Sequence, residues 1–232
     1  MIGEIIMNEY ESASKLWKSF KEEIMYNNRF FPSNKELIKK LNDTLSKLSE
    51  MASGRFLTRG DFYRARIGKF DKEEDIRKPD PKKVPIGDQR CNPRGISYFY
   101  VAGDPTTAIY EIKPEIDEIV TIGKFKIKNP LDLKICYLNM INIPESNPIK
   151  ELALSEEERC LLKIILKEIS KPLNSQETLG YIPIQYIVEY IKNKSFDGFV
   201  FDSSLKEDGK NYVFFDDSKF EFVSIKHVKI KK

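Results

Sequence analysis

Apolar residues recur at three- and four-residue spacing in two early stretches. Leu16, Trp17, Phe20 and Ile24 form the first, and Leu37, Leu41, Leu45, Leu48 and Met51 the second, which predicts a helical segment over residues 1–52. Pro32, then Ser33 with Glu36 three residues on, predicts a capping box at the start of the second helix. Near Gly54 the period changes to two. Asp61 to Ile67 alternates, placing Tyr63, Ala65 and Ile67 on one strand face and Phe62, Arg64 and Arg66 on the other. The stretch from Gly68 to Arg90 is polar and holds Pro79, Pro81 and Pro85, the texture of a functional or mobile loop.

Ser97 to Ala102 reads as a short aromatic strand. It ends at Asp104-Pro105, an N-cap followed by proline at the first helical position. The helix so opened carries Thr107, Ala108 and Glu111 on one face. Ile119 to Ile127 predicts a strand whose alternation changes phase at Gly123, which suggests a bulge. Leu131 to Leu138 predicts a further strand. Ser155 with Glu158 caps an apolar helix running to Pro172, and Pro183 opens another. Phe199 to Phe201, Tyr212 to Phe215 and Phe220 to Val223 complete a β-rich C-terminal third. Strands and helices mix without regular alternation, so the expected class is α+β. The expected division is a helical extension over 1–52 and a main domain over 53–232.

Composition narrows the chemistry. Across 232 residues, 39 Lys and Arg stand against 36 Asp and Glu, a formal net charge of +3. That balance does not suggest a dedicated nucleic-acid binder. No run of about 18 apolar residues occurs, so no membrane association is expected. The first ten residues, with Glu4 and Glu9, lack the features of a secretory signal. Cys91, Cys136 and Cys160 are odd in number and widely spaced, which fits reduced thiols in a cytoplasmic protein and no metal pattern. A single histidine, His227, leaves no room for a Ser-His-Asp triad or an HExxH site, and no phosphate-loop glycine signature occurs. Chemistry must therefore rest on Arg, Glu, Tyr, Ser and Asn.

Three clusters carry such residues. They are Tyr63-Arg64-Ala65-Arg66; then Arg90-x-Asn92-Pro93-x-Gly95 with Tyr98, Tyr100 and Glu111; and Asp197-Gly198 with Ser203-Ser204 and Asn211. Alone, each reads as an ion pair, a turn or a solvated side chain. In this order, with Asp104-Pro105-x-Thr107-Ala108-x-x-Glu111 and Tyr181-x-Pro183-x-Gln185-Tyr186, the chain resembles the RES domain family over roughly residues 60–215. Gln89, where the family often has Gly, and Cys91, where it has a bulky apolar residue, depart from the pattern.

The resemblance implies an ADP-ribosyltransferase-like mixed β core with flanking helices, similar to that of diphtheria toxin. It implies a bacterial toxin of a toxin–antitoxin pair that consumes NAD+ as substrate, by phosphorolysis or hydrolysis, with a cognate antitoxin as partner. Transfer of ADP-ribose to a macromolecule and a non-catalytic nucleotide-binding module are the alternatives. The family's Arg, Glu and Ser correspond to Arg64, Glu111 and Ser203, with Ser204 competing for the last role. Arg64 then suits the pyrophosphate, and Arg90 either assists or holds inorganic phosphate as co-substrate. Tyr63, Tyr98 and Tyr100 are candidates to stack on a ring of the dinucleotide, and Asn92, Ser203, Ser204 and Asn211 to line the site. With no imidazole nearby, the serine is expected to hydrogen-bond rather than attack.

Overall fold

The structure, a computed structural model, describes residues 2–52, 60–130, 133–138, 154–171 and 178–231. Its elements are helices α1 (Ile2–Glu22) and α2 (Lys35–Ala52), strand β1 (Asp61–Ile67), the short helix α3 (Glu73–Ile76), β2 (Phe99–Ala102), α4 (Pro105–Ile112), β3 (Ile119–Ile127) and β4 (Ile135–Tyr137). Helices α5 (Glu156–Ser170) and α6 (Ile182–Asn193) follow, then β5 (Gly198–Asp202), β6 (Lys210–Phe214) and β7 (Phe220–Lys229). The class is α+β, a mixed fold with flanking helices and an N-terminal helix, as expected.

The chain divides into two compact units. The first joins Met1–Gly54, Asp88–Pro93 and Tyr137–Lys194. It is helical because its apolar residues keep helical spacing. In α1, Trp17 stacks on Phe20 at 5.4 Å, and Phe20 meets Tyr186 of α6 edge-on at 5.1 Å. Lys21 pairs with Glu168 of α5 at 2.7 Å, and the Tyr190 hydroxyl donates to the Asn42 carbonyl at 3.1 Å. Ser155 and Glu158 form the capping box expected at the start of α5. At α2 the cap differs from the expectation. Asn34 Oδ1 accepts from the Leu37 amide at 3.0 Å, so Asn34 is the cap. Ser33 instead gives its amide and hydroxyl to Glu23 at 2.8 and 2.9 Å. Both residue types cap well, and the contact with Glu23 removes serine from the competition. Pro172 lies outside the described residues.

The second unit joins Arg55–Gly87, Arg94–Cys136 and Ser195–Lys232. It is built on a seven-stranded sheet of order β4-β5-β6-β2-β1-β3-β7. Junctions within it are uneven. Strands β1 and β3 pair from Asp61↔Lys126 to Ile67↔Val120, whereas β1 and β2 share the one pair Tyr63↔Ala102. One sheet face carries an aromatic core in which Phe62 meets Tyr212, Phe214 and Phe220 edge-on at 5.0 to 5.5 Å, and Phe99 meets Phe125 at 5.0 Å. On the other face Ala65, Ala102, Ala108, Val120 and Ile122 form a smaller cluster that includes α4. Small residues there let the helix approach closely.

The phase change at Gly123 has a different cause from a bulge in its own strand. Strand β3 pairs without interruption to β1, and its register with β7 shifts between Lys124 and Phe125 because Val223 is the extra residue on β7. Alternation fails in β3 because Val120, Thr121, Ile122 and Gly123 are all buried, so both faces are covered. The cover is α3, hidden in the loop after β1: Ile76 is fully buried, and a Cβ on Gly123 would lie 2.6 Å from its Cγ1. Gly123→Ala is expected to lower stability by about 1–3 kcal/mol through overpacking. Urea unfolding checks this, and an unchanged midpoint would mean that α3 yields freely. The strand expected over 131–138 is described only as β4, and the last strand runs well past Val223 to include His227.

Candidate functional site

Helix α4 begins as its sequence requires. Asp104 sits in extended backbone, its Oδ1 accepts from the Thr107 amide at 2.9 Å, its Oδ2 accepts from the Thr107 hydroxyl, and Pro105 opens the helix. Burial acts to raise the Asp104 pKa, but the Thr107 hydroxyl and amide together with Lys206 outweigh it and hold the carboxyl below its usual value. A depressed folded-state pKa contributes stability above the unfolded value, about 3.9, that is lost as pH falls through the folded value. Asp104→Ala is therefore expected to destabilise by about 1 kcal/mol at neutral pH, with the gap closing below pH ~4. Paired urea titrations at pH 7 and pH 3 test this; an equal gap at both would remove the ionised cap.

Glu111 projects from the last turn of α4 toward the turn that links β5 to β6. Its Oε1 accepts from Ser203 Oγ at 2.6 Å and from Asn211 Nδ2 at 2.6 Å. Ser203 Oγ itself accepts from the amides of Leu205 and Lys206 at 3.1 and 3.2 Å. Those two bonds use both lone pairs of the hydroxyl, so its proton points at Glu111. Asn211 is buried, and its place opposite Ala102 in the β2–β6 ladder puts it on the α4 side of the sheet. Among the described residues Glu111 makes no ion pair. Two neutral donors thus hold a carboxylate whose charge is left unneutralised. Ser204, next in the chain, is exposed, and the bond to Glu111 is made by Ser203.

Arg64 occupies the other sheet face. Its guanidinium lies 6.0 Å from the Phe99 ring centre, and Nη1 donates to the Tyr100 carbonyl at 3.1 Å, across the junction where β1 and β2 share a single pair. Nε is buried without a hydrogen-bond partner, and no carboxylate pairs with the group among the described residues. Loss of water, then Arg66, pushes its pKa down to about 10, so it stays cationic at neutral pH. A poorly hydrated cation whose described hydrogen-bond partner is the Tyr100 carbonyl, with Asp217 attracting it from beyond ion-pair distance, is costly unless an anion completes it.

The remaining sequence candidates fall in different places. Tyr63 and Tyr100 are partly buried on β1 and β2. Tyr98 precedes β2, is only 2% exposed, and packs its ring edge-on to Phe215 at 5.0 Å. Arg90 and Asn92 belong to the helical unit. Arg90 Nη1 donates to the Ile169 carbonyl at 2.9 Å, and Asn92 is fully buried with Nδ2 3.3 Å from the Pro93 carbonyl. Gln185 donates to the carbonyls of Gln89 and Asn92 at 3.0 and 3.1 Å, so this part of the motif organises its own turn. The structure brings together Glu111, Ser203 and Asn211; Arg64 makes no direct contact with them.

Other reactive groups are shielded. All three cysteines are buried, and burial pushes the Cys136 thiol up to about 12. No group of three or more metal-ligating side chains occurs among the described residues, and no described helix is long and apolar enough to cross a membrane.

The model of the RES domain family matches residues 61–231. No curated protein matches the chain in sequence. A chain in the crystal structure of the M. tuberculosis MbcT–MbcA toxin–antitoxin complex is similar in structure, with a TM-score of 0.44 at 8% identity, over 80% of this chain and 92% of that one.

Proposed function

The chain belongs to the RES domain family, and from that premise we propose that it is an NAD+-consuming toxin that breaks the nicotinamide–ribose bond. The observation that carries this reading is the Glu111 carboxylate, held at 2.6 Å by Ser203 and at 2.6 Å by Asn211 and unpaired with any described cation. Loss of nicotinamide leaves positive charge on the ribose. A fixed, unneutralised carboxylate stabilises that charge as it develops, with no reorganisation at the moment of reaction. Ser203 and Asn211 position the carboxylate without bringing a positive charge to it.

Arg64 supplies the second anchor. Its unsatisfied guanidinium suits the pyrophosphate, which would complete the hydrogen bonds that Nε lacks. A dinucleotide that reaches both anchors passes through the β1–β2 junction, where the strands share a single pair. Its reacting ribose is then at Glu111, with Tyr63 and Tyr100 on that same face at hand to stack on a ring, and its phosphates are at Arg64 on the other. This division of labour fits an ADP-ribosyltransferase-like core. Arg90 donates from Nη1 to the Ile169 carbonyl, and a part in holding inorganic phosphate stays a proposal from the family resemblance.

A protein that removes a central cofactor needs a neutralising partner, so a cognate antitoxin protein belongs to the proposal. Mass analysis of products formed from NAD+, with and without inorganic phosphate, tests the reaction and its acceptor. Free nicotinamide with ADP-ribose 1″-phosphate indicates phosphorolysis, and free nicotinamide with ADP-ribose indicates hydrolysis. Label on a macromolecule indicates transfer. Intact NAD+ in all mixtures would end the enzymatic reading.

A further inference from the structure

Helix α4 touches the Ser203–Gly209 turn at two points one helical turn apart, and only one of them is the bond from Ser203 to Glu111. The other is Thr107. It is fully buried, and Gly209 packs so closely on it that a Cβ there would lie 2.7 Å from Thr107 Oγ1 and 3.0 Å from Thr107 Cγ2. The Thr107 hydroxyl is not free to turn, because it donates to Asp104 Oδ2. The far side of the turn is tied as well. Lys206 Nζ lies 3.8 Å from Asp104 Oδ2, the Gly103 amide donates to the Lys210 carbonyl at 3.0 Å, and the Ser203 amide donates to the Gly209 carbonyl at 2.8 Å.

We infer that Thr107, locked by Asp104 and seated on Gly209, is a positioning residue that sets the Ser203 hydroxyl at hydrogen-bonding distance from Glu111. The inference rests on the function proposed above. Without the Thr107 seat, the ties that remain hold the ends of the turn but leave its spacing from α4 unset, and Ser203 would lose its aim. Two contacts at a separation of four residues on one helix face fix both the distance and the tilt of the turn. Gly209 is needed because any side chain would wedge the turn away from the helix. Thr107 touches neither substrate nor reacting atoms; it acts through Ser203.

The test uses Thr107→Val, which keeps the shape and removes the hydroxyl, with Thr107→Ser as the conservative rescue and Gly209→Ala as a second perturbation. Nicotinamide release is followed for each, alone and combined with Ser203→Ala. Displacements well under 1 Å at such a site cost about tenfold in rate. Thr107→Val should lose about that in kcat with KM within about twofold, and Thr107→Ser should recover most of it. The loss should vanish when Ser203 is already alanine, since nothing remains to be aimed. Hydrogen exchange at the Leu205 and Lys206 amides, both bonded to Ser203 Oγ, should quicken in Thr107→Val and Gly209→Ala. A loss that persists in full beside Ser203→Ala, or unchanged amide exchange in both variants, would overturn the inference. If wild type released no nicotinamide, the proposed reaction would fall, and amide exchange alone would then decide the positioning role.

Discussion

Glu111→Gln is expected to reduce nicotinamide release by about 10²–10³ while leaving NAD+ affinity nearly unchanged. The amide has the size of the carboxylate and can still accept from Ser203 and Asn211, so the local structure should persist. What it lacks is charge, and charge matters most when the ribose becomes cationic. The effect therefore falls on kcat and kcat/KM together. Initial rates at saturating NAD+ decide it. A variant within a few-fold of wild type would place the catalytic carboxylate elsewhere, and Glu111 would then be a structural acceptor for the β5–β6 turn.

Arg64→Met is expected to act in opposite directions on binding and on stability. Replacing the guanidinium removes a charge-assisted phosphate contact, so NAD+ affinity should fall by about 1.5–3 kcal/mol. The unliganded fold should be as stable as wild type or more so, by about 1 kcal/mol, because an incompletely satisfied buried cation gives way to an apolar chain of similar length. Calorimetric titration in a Glu111→Gln background avoids turnover during the measurement, and urea unfolding gives the stability. A large loss of stability with unchanged affinity would make Arg64 a structural brace between β1 and β2.

What the sequence revealed and what it hid divides along the range of the interactions. Asp104-Pro105 and Ser155 with Glu158 were legible because a cap is settled within four residues. Ser33 misled for the same reason in reverse: Asn34 offers the same chemistry one position later, and the competing bond from Ser33 to Glu23 spans ten residues. The phase change at Gly123 was visible, but its cause was not. Ile76 lies in a highly charged stretch with no periodicity, and nothing local announces that it folds onto a glycine of β3. The extra residue sits on β7, where the alternation gave no warning.

The candidate site follows the same rule. Motif order singled out Glu111, Ser203 and Asn211, residues that are distant in the chain and converge in space. Neighbours in a doublet have the same chemistry, and only the turn shows that the hydroxyl bonded to Glu111 is that of Ser203. Tyr98 and Tyr100 alternate correctly for one face, yet β2 begins at Phe99 and Tyr98 is spent in packing on Phe215. Arg90 and Asn92 lie close to the motif in sequence but fold with the helical unit, a long-range partition that no spacing encodes. Gly209 carried no signal at all, because its close approach to Thr107 exists only in the folded turn.

The most direct measurement of the central claim is a proton NMR time course of NAD+ mixed with the purified wild-type chain, with the same mixture prepared from Glu111→Gln. Free nicotinamide resonances should grow as those of the bound base decline, and this growth should nearly stop in the variant. NAD+ left intact by a folded wild-type protein, or consumed equally by both, would contradict the assignment of Glu111 as the catalytic carboxylate of an NAD+-consuming enzyme.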